Sequence, residues 1–183
     1  MHTPIDLSNT TLETERLVLR PWREEDLPDL FAYASVPGVG EMAGWRHHES
    51  MEESQAILSK FISAKNFLAL EHKATKKVIG SLGLHDSWAD DEPSFAGLKI
   101  KEIGYVLAKE FWGQGLMPEA VREVLRFCFE DCGLDAVSIG HFAENAQSRR
   151  VIEKCGFRFI SNGTFFAKQL GKTFEDMKYI LYK

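Results

Sequence analysis

The chain has 183 residues, 44% of them hydrophobic with 13 Phe, and a net charge of −5; this suits one domain, read as 1–183 with its core over 14–183, and supports a sizeable apolar core. The acidic balance excludes a sequence-independent nucleic-acid binder, which presents surplus Lys and Arg on one face, while it favours a basic substrate. No run approaches the about 18 apolar residues of a membrane span, Met1 to Thr10 lacks a basic-then-apolar leader, and Cys128, Cys132 and Cys155 have no matching pair at zinc spacing, so a cytoplasmic protein with reduced thiols and no metal is expected.

Leu17 to Arg20 reads as a first strand. Asp26 is placed to cap a helix whose Leu27, Leu30, Phe31 and Ala34 recur on one face, and Ser50-x-x-Glu53 has the form of a capping box opening a second helix through Ile57, Phe61 and Ile62. Strands follow at Phe67 to His72 and Val78 to His85, joined by the polar turn Lys73 to Lys77. An acidic loop, Trp88 to Ser94, is expected to face solvent before a strand from Ile100 to Ala108. Val121, Val124, Leu125, Cys128 and Phe129 form the buried stripe of the main helix, with Pro118 in its first turn and an end near Gly133. The strand Ala136 to Phe142 leads into a helix at Asn145, and Phe157 to Ala167 with Phe174 to Tyr182 makes a closing antiparallel pair. This order gives an α+β layer with a partly parallel centre.

The most informative stretch is Glu102-Ile-Gly-Tyr-Val-Leu-Ala-Lys-Glu-Phe-Trp-Gly-Gln-Gly-Leu-Met-Pro-Glu-Ala120, a strand that breaks into a glycine turn and restarts as a helix. Gly113 and Gly115 let amides turn inward, and the helix adds free N–H groups and the positive end of its dipole, so an anion is the natural guest. Pro118 stands where a dinucleotide fingerprint needs its third glycine, and no Lys-Ser/Thr follows Gly115 as a P-loop requires. Downstream, Asn145-Ala-Gln-Ser148-Arg-Arg-Val151-Ile-Glu-Lys-Cys155-Gly-Phe157 places Gly156 at a helix C′ position before a new strand.

Together these two blocks resemble the GCN5-related N-acetyltransferase (GNAT) superfamily over nearly the whole chain. The Trp-Gly-x-Gly wording, Glu-Ile-Gly-Tyr before it, Glu119-Ala120 after it and the opening Thr14-Glu15-Arg16-Leu17-x-Leu19-Arg20 look like its Rim-type branch, the ribosomal-protein N-acetyltransferases and their relatives. The resemblance implies a GNAT fold, a mostly antiparallel mixed sheet with parallel, splayed central strands flanked by helices. It implies acetyl-CoA as donor, a primary amine such as a protein N-terminus, a polyamine or a small amine as acceptor, and a monomer or homodimer without nucleic-acid or membrane partners. The alternative is a catalytically idle acyl-CoA-binding sensor or scaffold, left open by departures from the family pattern.

Amine acylation needs a base, a stabilised oxyanion and a donor to the leaving thiolate. Glu102 is the candidate base, its rivals being His85, with Asp86 beside it, and Glu71, His72 and His141. On the resemblance, backbone N–H groups around Val106 or Leu107 hold the oxyanion and the pantetheine arm, and Gly113, Gln114, Gly115, Leu116 and Met117 supply amides to the pyrophosphate. Pro118 withholds one such amide. Where many members carry a tyrosine acid, this chain has Ile152. Ser148 then serves the thiolate as a hydrogen-bond donor or is a small packing residue, and Asn145 bridges strand and pantetheine, caps its helix, or does both. Residues 35–50 and 168–173 are read as acceptor loops without a decodable motif.

Overall fold

The computed structural model describes residues 4–183. Met1 to Thr3, part of the stretch read for a leader, lie outside the described residues. In chain order the elements are β1 (Leu12–Glu13), β2 (Leu17–Pro21), α1 (Leu27–Ala34), α2 (Met51–Ala64), β3 (Phe67–His72), β4 (Lys77–His85), β5 (Ile100–Leu107), α3 (Leu116–Arg126), β6 (Ala136–Phe142), α4 (Ala146–Lys154), β7 (Arg158–Ala167) and β8 (Lys172–Tyr182).

One eight-stranded sheet runs in the order β1-β2-β3-β4-β5-β6-β8-β7. Every pairing is antiparallel except β5 with β6, the mixed sheet that the family resemblance implies. The parallel ladder is short, from Ile100 opposite Ala136 to Ile103 opposite Ile139. On its other edge β5 stays paired with β4 as far as Leu107 opposite Gly80. Residues 104–107 therefore have no strand partner toward β6, and the sheet opens into a V.

Side chains alternate along β5. The Tyr105 hydroxyl reaches Ser148 of α4, so Ile103, Tyr105 and Leu107 face α3 and α4, while Glu102, Gly104 and Val106 face α1 and α2. The buried stripe of α3 is Leu116, Val121, Val124 and Leu125, each stabilising the fold by about 1.5–3 kcal/mol relative to exposure. The predicted stripe continues through a wide five-residue turn, Phe127–Asp131, in which the Cys132 amide donates to the Phe127 carbonyl, before Gly133 at φ +65° reverses the chain. The three cysteines are free, and burial raises the pKa of each thiol.

Three local expectations change. Asp26 stands at the N-cap position of α1 but makes no side-chain cap, because its carboxylate takes both Arg20 Nη groups at 2.9 Å and the Arg23 amide at 2.8 Å. At α2, Ser50 Oγ accepts from the Glu53 amide, and the Glu53 carboxylate accepts chiefly from the Glu49 amide, at 2.6 Å, with the Ser50 amide a lesser partner. The acidic stretch after β4 faces solvent over 91–94 as expected, but it is structured, with the short 3₁₀ turns Trp88–Asp91 and Pro93–Phe95, a buried Ala89, and the Ala89 amide donating to Ser87 Oγ at 3.0 Å.

Candidate active site

The glycine turn forms as its sequence dictates. Gly113 and Gly115 sit at φ +76° and +77°, left-handed conformations that an L side chain resists. No backbone or side-chain group among the described residues accepts from the amides of Gly113, Gln114, Gly115, Leu116 or Met117, leaving a run of donors at the positive end of α3. The turn is braced from the far end of the chain. Glu119 accepts from Thr14 Oγ1 at 2.6 Å, the Arg16 amide at 2.8 Å and Arg16 Nε at 2.8 Å, and Arg16 Nη1 donates to the Gln114 carbonyl at 2.9 Å. The opening Thr-Glu-Arg motif and Glu119, read separately in the sequence, are thus two halves of one clamp.

A cavity of about 330 Å³ runs from this turn into the V. It gathers Glu102, Val106, Leu107, Gly113, Gly115, Leu116, Met117, Asn145 and Ser148. Gln114 is not on its wall: the carbonyl is held by Arg16 and the side-chain amide by the Glu110 carbonyl at 3.0 Å. Asn145 is an N-cap, its Oδ1 accepting from the Ser148 amide at 3.1 Å.

The ladder distinguishes the two backbone candidates on β5. Ala108 donates to the Ile79 carbonyl at 2.7 Å, so alternation turns the backbone groups of Val106 toward β4 and those of Tyr105 and Leu107 toward the V. The Leu107 carbonyl there takes the Trp112 indole N–H at 2.8 Å. Its amide faces the gap; Val106 contributes to the cavity through its side chain.

At the leaving-group position Ile152 is fully buried in the core. A hydroxyl pair lies nearby instead: Tyr105 OH and Ser148 Oγ are 2.7 Å apart. Burial raises the Tyr105 pKa, so its proton is retained and available to Ser148. The sequence holds both residues, but their contact spans two motifs and only the fold reveals it.

The candidate bases separate by their partners. Glu71 is paired with Arg20 Nε at 2.7 Å. His72 is half-buried with Nδ1 on Thr75 and its ring against Phe111, and both ring nitrogens of buried His141 are engaged, with the Phe142 carbonyl at 2.7 Å and Tyr179 OH at 3.2 Å. His85 is the cross-strand neighbour of Glu102, and a Cβ on Gly83 would come within 2.6 Å of its Nε2. Asp86 beside it pairs with Lys101 Nζ at 2.7 Å. Asn66 Nδ2, whose orientation is set by donation to the Leu84 carbonyl at 3.0 Å, also faces His85 Nδ1 at 3.4 Å. The Asn66 amide therefore occupies the Nδ1 side of the ring. Burial, followed by the Lys101 charge, lowers the His85 pKa.

Glu102 combines position with a tuned carboxylate. Its Oε2 accepts from the Trp88 amide at 3.2 Å and Ser138 Oγ at 3.4 Å. Burial raises its pKa above the usual 4.5 and the nearby Asp176 charge adds to the rise, against the pull of those hydrogen bonds and Lys178. Asp176 lines the same cavity and is itself raised by burial. No spacing rule connects a residue near the C-terminus to Glu102; the register of β8 brings it there.

A second cavity of about 750 Å³ opens on the α1–α2 face, and it shares Ala43, Gly104, Tyr105 and Val106 with the first. Both expected acceptor loops reach it: Trp45, Arg46 and His48 from the first and Gln169 from the second line its wall, and the Arg46 amide donates to Gln169 Oε1 at 3.0 Å. Glu41 holds the first loop folded. Burial works against its ionisation, yet hydrogen bonds from the His47 ring and the amides of Gly38 and His47 bring its pKa down to about 2.

A free-amide turn at a helix N-terminus, opening into splayed parallel strands that a second cavity meets from the opposite face, defines a site for a phosphate-bearing ligand next to room for a second substrate. The family model described as "Acetyltransferase (GNAT) domain" matches residues 16–158, and the chain belongs to that family. It is an acetyl-CoA-dependent acetyltransferase. Over 152 residues it is 30% identical to the uncharacterized N-acetyltransferase YoaA of Bacillus subtilis, covering 80% of this chain and 82% of that one. Over 162 residues it is 39% identical to the FsC-acetyl coenzyme A-N(2)-transacetylase of Aspergillus fumigatus, covering 86% of this chain and 68% of that one. A putative ribosomal-protein-serine acetyltransferase from Vibrio cholerae shares the fold at TM-score 0.78 and 18% identity, over 96% of this chain and 99% of that one. Among the described residues no group of three or more His, Cys, Asp and Glu is placed to hold a metal, and no helix is long and apolar enough to cross a membrane.

Proposed function

We propose that the chain, as one catalytic domain, transfers the acetyl group of acetyl-CoA to a primary amine by direct attack in a ternary complex. The observation that carries this reading is the meeting of the two cavities at Gly104, Tyr105 and Val106, where a donor lying in the V and an acceptor entering from the α1–α2 face would touch. The site fits the donor: the amides of 113–117 suit a pyrophosphate, and the unpaired edge of β5 suits the amide groups of a pantetheine arm.

Each group then has one task. Glu102 takes the ammonium proton, directly or through water, and its raised pKa suits a base working near neutrality. The freed amine nitrogen bonds to the acetyl carbonyl carbon, whose oxygen gathers negative charge against the Leu107 amide. As the carbon–sulfur bond breaks, Ser148 Oγ donates to the departing sulfur while Tyr105 OH holds Ser148 in orientation. The acylated nitrogen loses its second proton and the thiolate takes one up, through Ser148 and solvent, while Glu102 returns the first proton to water; the products are an N-acetyl amine and free coenzyme A.

The test is thiol release from acetyl-CoA with a panel of primary amines, paired with mass detection of the acetylated acceptor. Amine-dependent release that Glu102→Gln slows supports the reading. Tight acetyl-CoA binding without transfer to any amine would overturn it.

A further inference from the structure

The wall of the second cavity is mostly hydrocarbon and ring surface: Leu30, Tyr33, Trp45, Ile57, Phe61 and Phe67. Three of its rings form a connected series, with centroids 4.4 Å apart from Phe61 to Phe67 and 5.0 Å from Phe67 to His85. That series leads from α2 to the point beside Gly104 where the cavities meet. Ring faces of this kind accept an apolar body and also attract an ammonium.

The charged groups of this wall are already engaged. Glu53 accepts from the Glu49 amide at 2.6 Å, Arg46 faces Glu49 at 3.8 Å, and buried His48 places Nδ1 2.7 Å from Ser54 Oγ. Glu102 and Asp176 line the donor cavity, and the acceptor wall has one carboxylate, Glu53, which the Glu49 amide already holds. One positive charge is therefore accommodated, at the reacting end. A second ammonium in the acceptor cavity would be desolvated against aromatic rings, with only Glu53, already bonded to the Glu49 amide, to face it.

We propose that the acceptor is a monoamine carried on an aromatic or branched aliphatic body, seated against Phe61, Phe67 and Trp45 with its nitrogen directed to Glu102. This rests on the assignment of the second cavity to the acceptor, and it separates the chain from enzymes built for polyamines or for small hydrophilic amines.

The test uses the full chain with saturating coenzyme A and three probes, phenylalaninamide, serinamide and putrescine, with binding measured by calorimetry independently of turnover. An apolar pocket discriminates by about 10–200-fold for a methylene-sized misfit. Phenylalaninamide should therefore bind at least about tenfold more tightly than either other probe. Phe61→Ala should erase most of that preference, and Ile57→Glu, which adds a carboxylate to a half-buried helix position, should shift the ratio toward putrescine by about tenfold. Circular dichroism of both variants identifies any loss of fold, and the wild-type ranking stands without them. Equal or tighter binding of serinamide or putrescine to the wild type overturns the proposal, as does a ranking that folded Phe61→Ala and Ile57→Glu leave unchanged. The outcome is distinct from the catalytic test: binding with this preference, together with no acetylation of any amine in the panel, defeats the transfer mechanism while leaving the pocket's chemistry standing.

Discussion

Ser148→Ala tests the leaving-group assignment, and the structure sets the size of two effects. The first is on stability. Removing Oγ strands the Tyr105 hydroxyl, which is buried with Ser148 Oγ at 2.7 Å as its good partner and the Ser148 carbonyl at a poor 3.4 Å. An unsatisfied buried hydroxyl costs about 1–3 kcal/mol, and the residual carbonyl contact puts the expectation at the lower end. For a chain of this size each kcal/mol moves Tm by about 2–4 °C. The second effect is on rate. A hydrogen bond to a charged sulfur contributes about 1.5–3 kcal/mol, whereas one to the neutral thioester contributes little. Turnover should therefore fall about ten- to a hundredfold with acetyl-CoA affinity nearly unchanged. Tyr105→Phe should give a smaller loss of the same kind. Because the two hydroxyls act as a unit, the double variant should be no slower than Ser148→Ala alone. Stopped assays on all four proteins with one acceptor complete the cycle. Full turnover in Ser148→Ala, or strictly additive losses, would refute the relay.

Glu102→Gln should reduce kcat/KM by about 10²-fold or more and remove the acid limb of the pH profile. Activity should require the ionised carboxylate, so the wild-type limb falls as pH drops through a value above 4.5, the direction in which burial and Asp176 move Glu102; Asp176→Asn, which removes a repelling charge, should shift that limb to lower pH, and an unmoved limb would separate the two residues. Gly115→Val, at φ +77°, should abolish acetyl-CoA binding by calorimetry while the far-ultraviolet spectrum stays native. Arg20→Met leaves buried Asp26 and Glu71 without their partner and should cost about 3–5 kcal/mol in urea unfolding, with kcat/KM intact under conditions where the variant is folded; a loss below about 1 kcal/mol would mean the network is replaceable.

Much of the donor side was legible in the sequence because its signals are local. A positive-φ glycine pair, a helix start and an N-cap asparagine are each encoded within a few residues, and the turn, α3 and α4 formed where those signals lie. The failures are contacts that depend on the whole chain. Asp26 has the right residue type and position for a cap, but Arg20 competes for its carboxylate. Tyr105 was read as part of a strand motif, and its hydroxyl acquires a role only when α4 folds back across β5. Asp176 enters the site through the register of β8 on β6, and the two-residue strand β1 is too short to carry a periodic signal. The acceptor cavity draws on α1, α2, β3 and a loop, so no single stretch of sequence describes it. His85, the alternative base, meets its polar neighbour Asn66 across nineteen residues of sequence, a contact that no local pattern encodes.

The most direct test of the account is the crystal structure of this chain with acetyl-CoA. The pyrophosphate should lie on the amides of Gly113 to Met117, the pantetheine arm along the open edge of β5, and the thioester between the Leu107 amide and Ser148 Oγ, with its carbonyl carbon facing the cavity that holds Phe61 and Phe67. A donor bound outside the V, or one whose thioester points away from Gly104 and the second cavity, would contradict it.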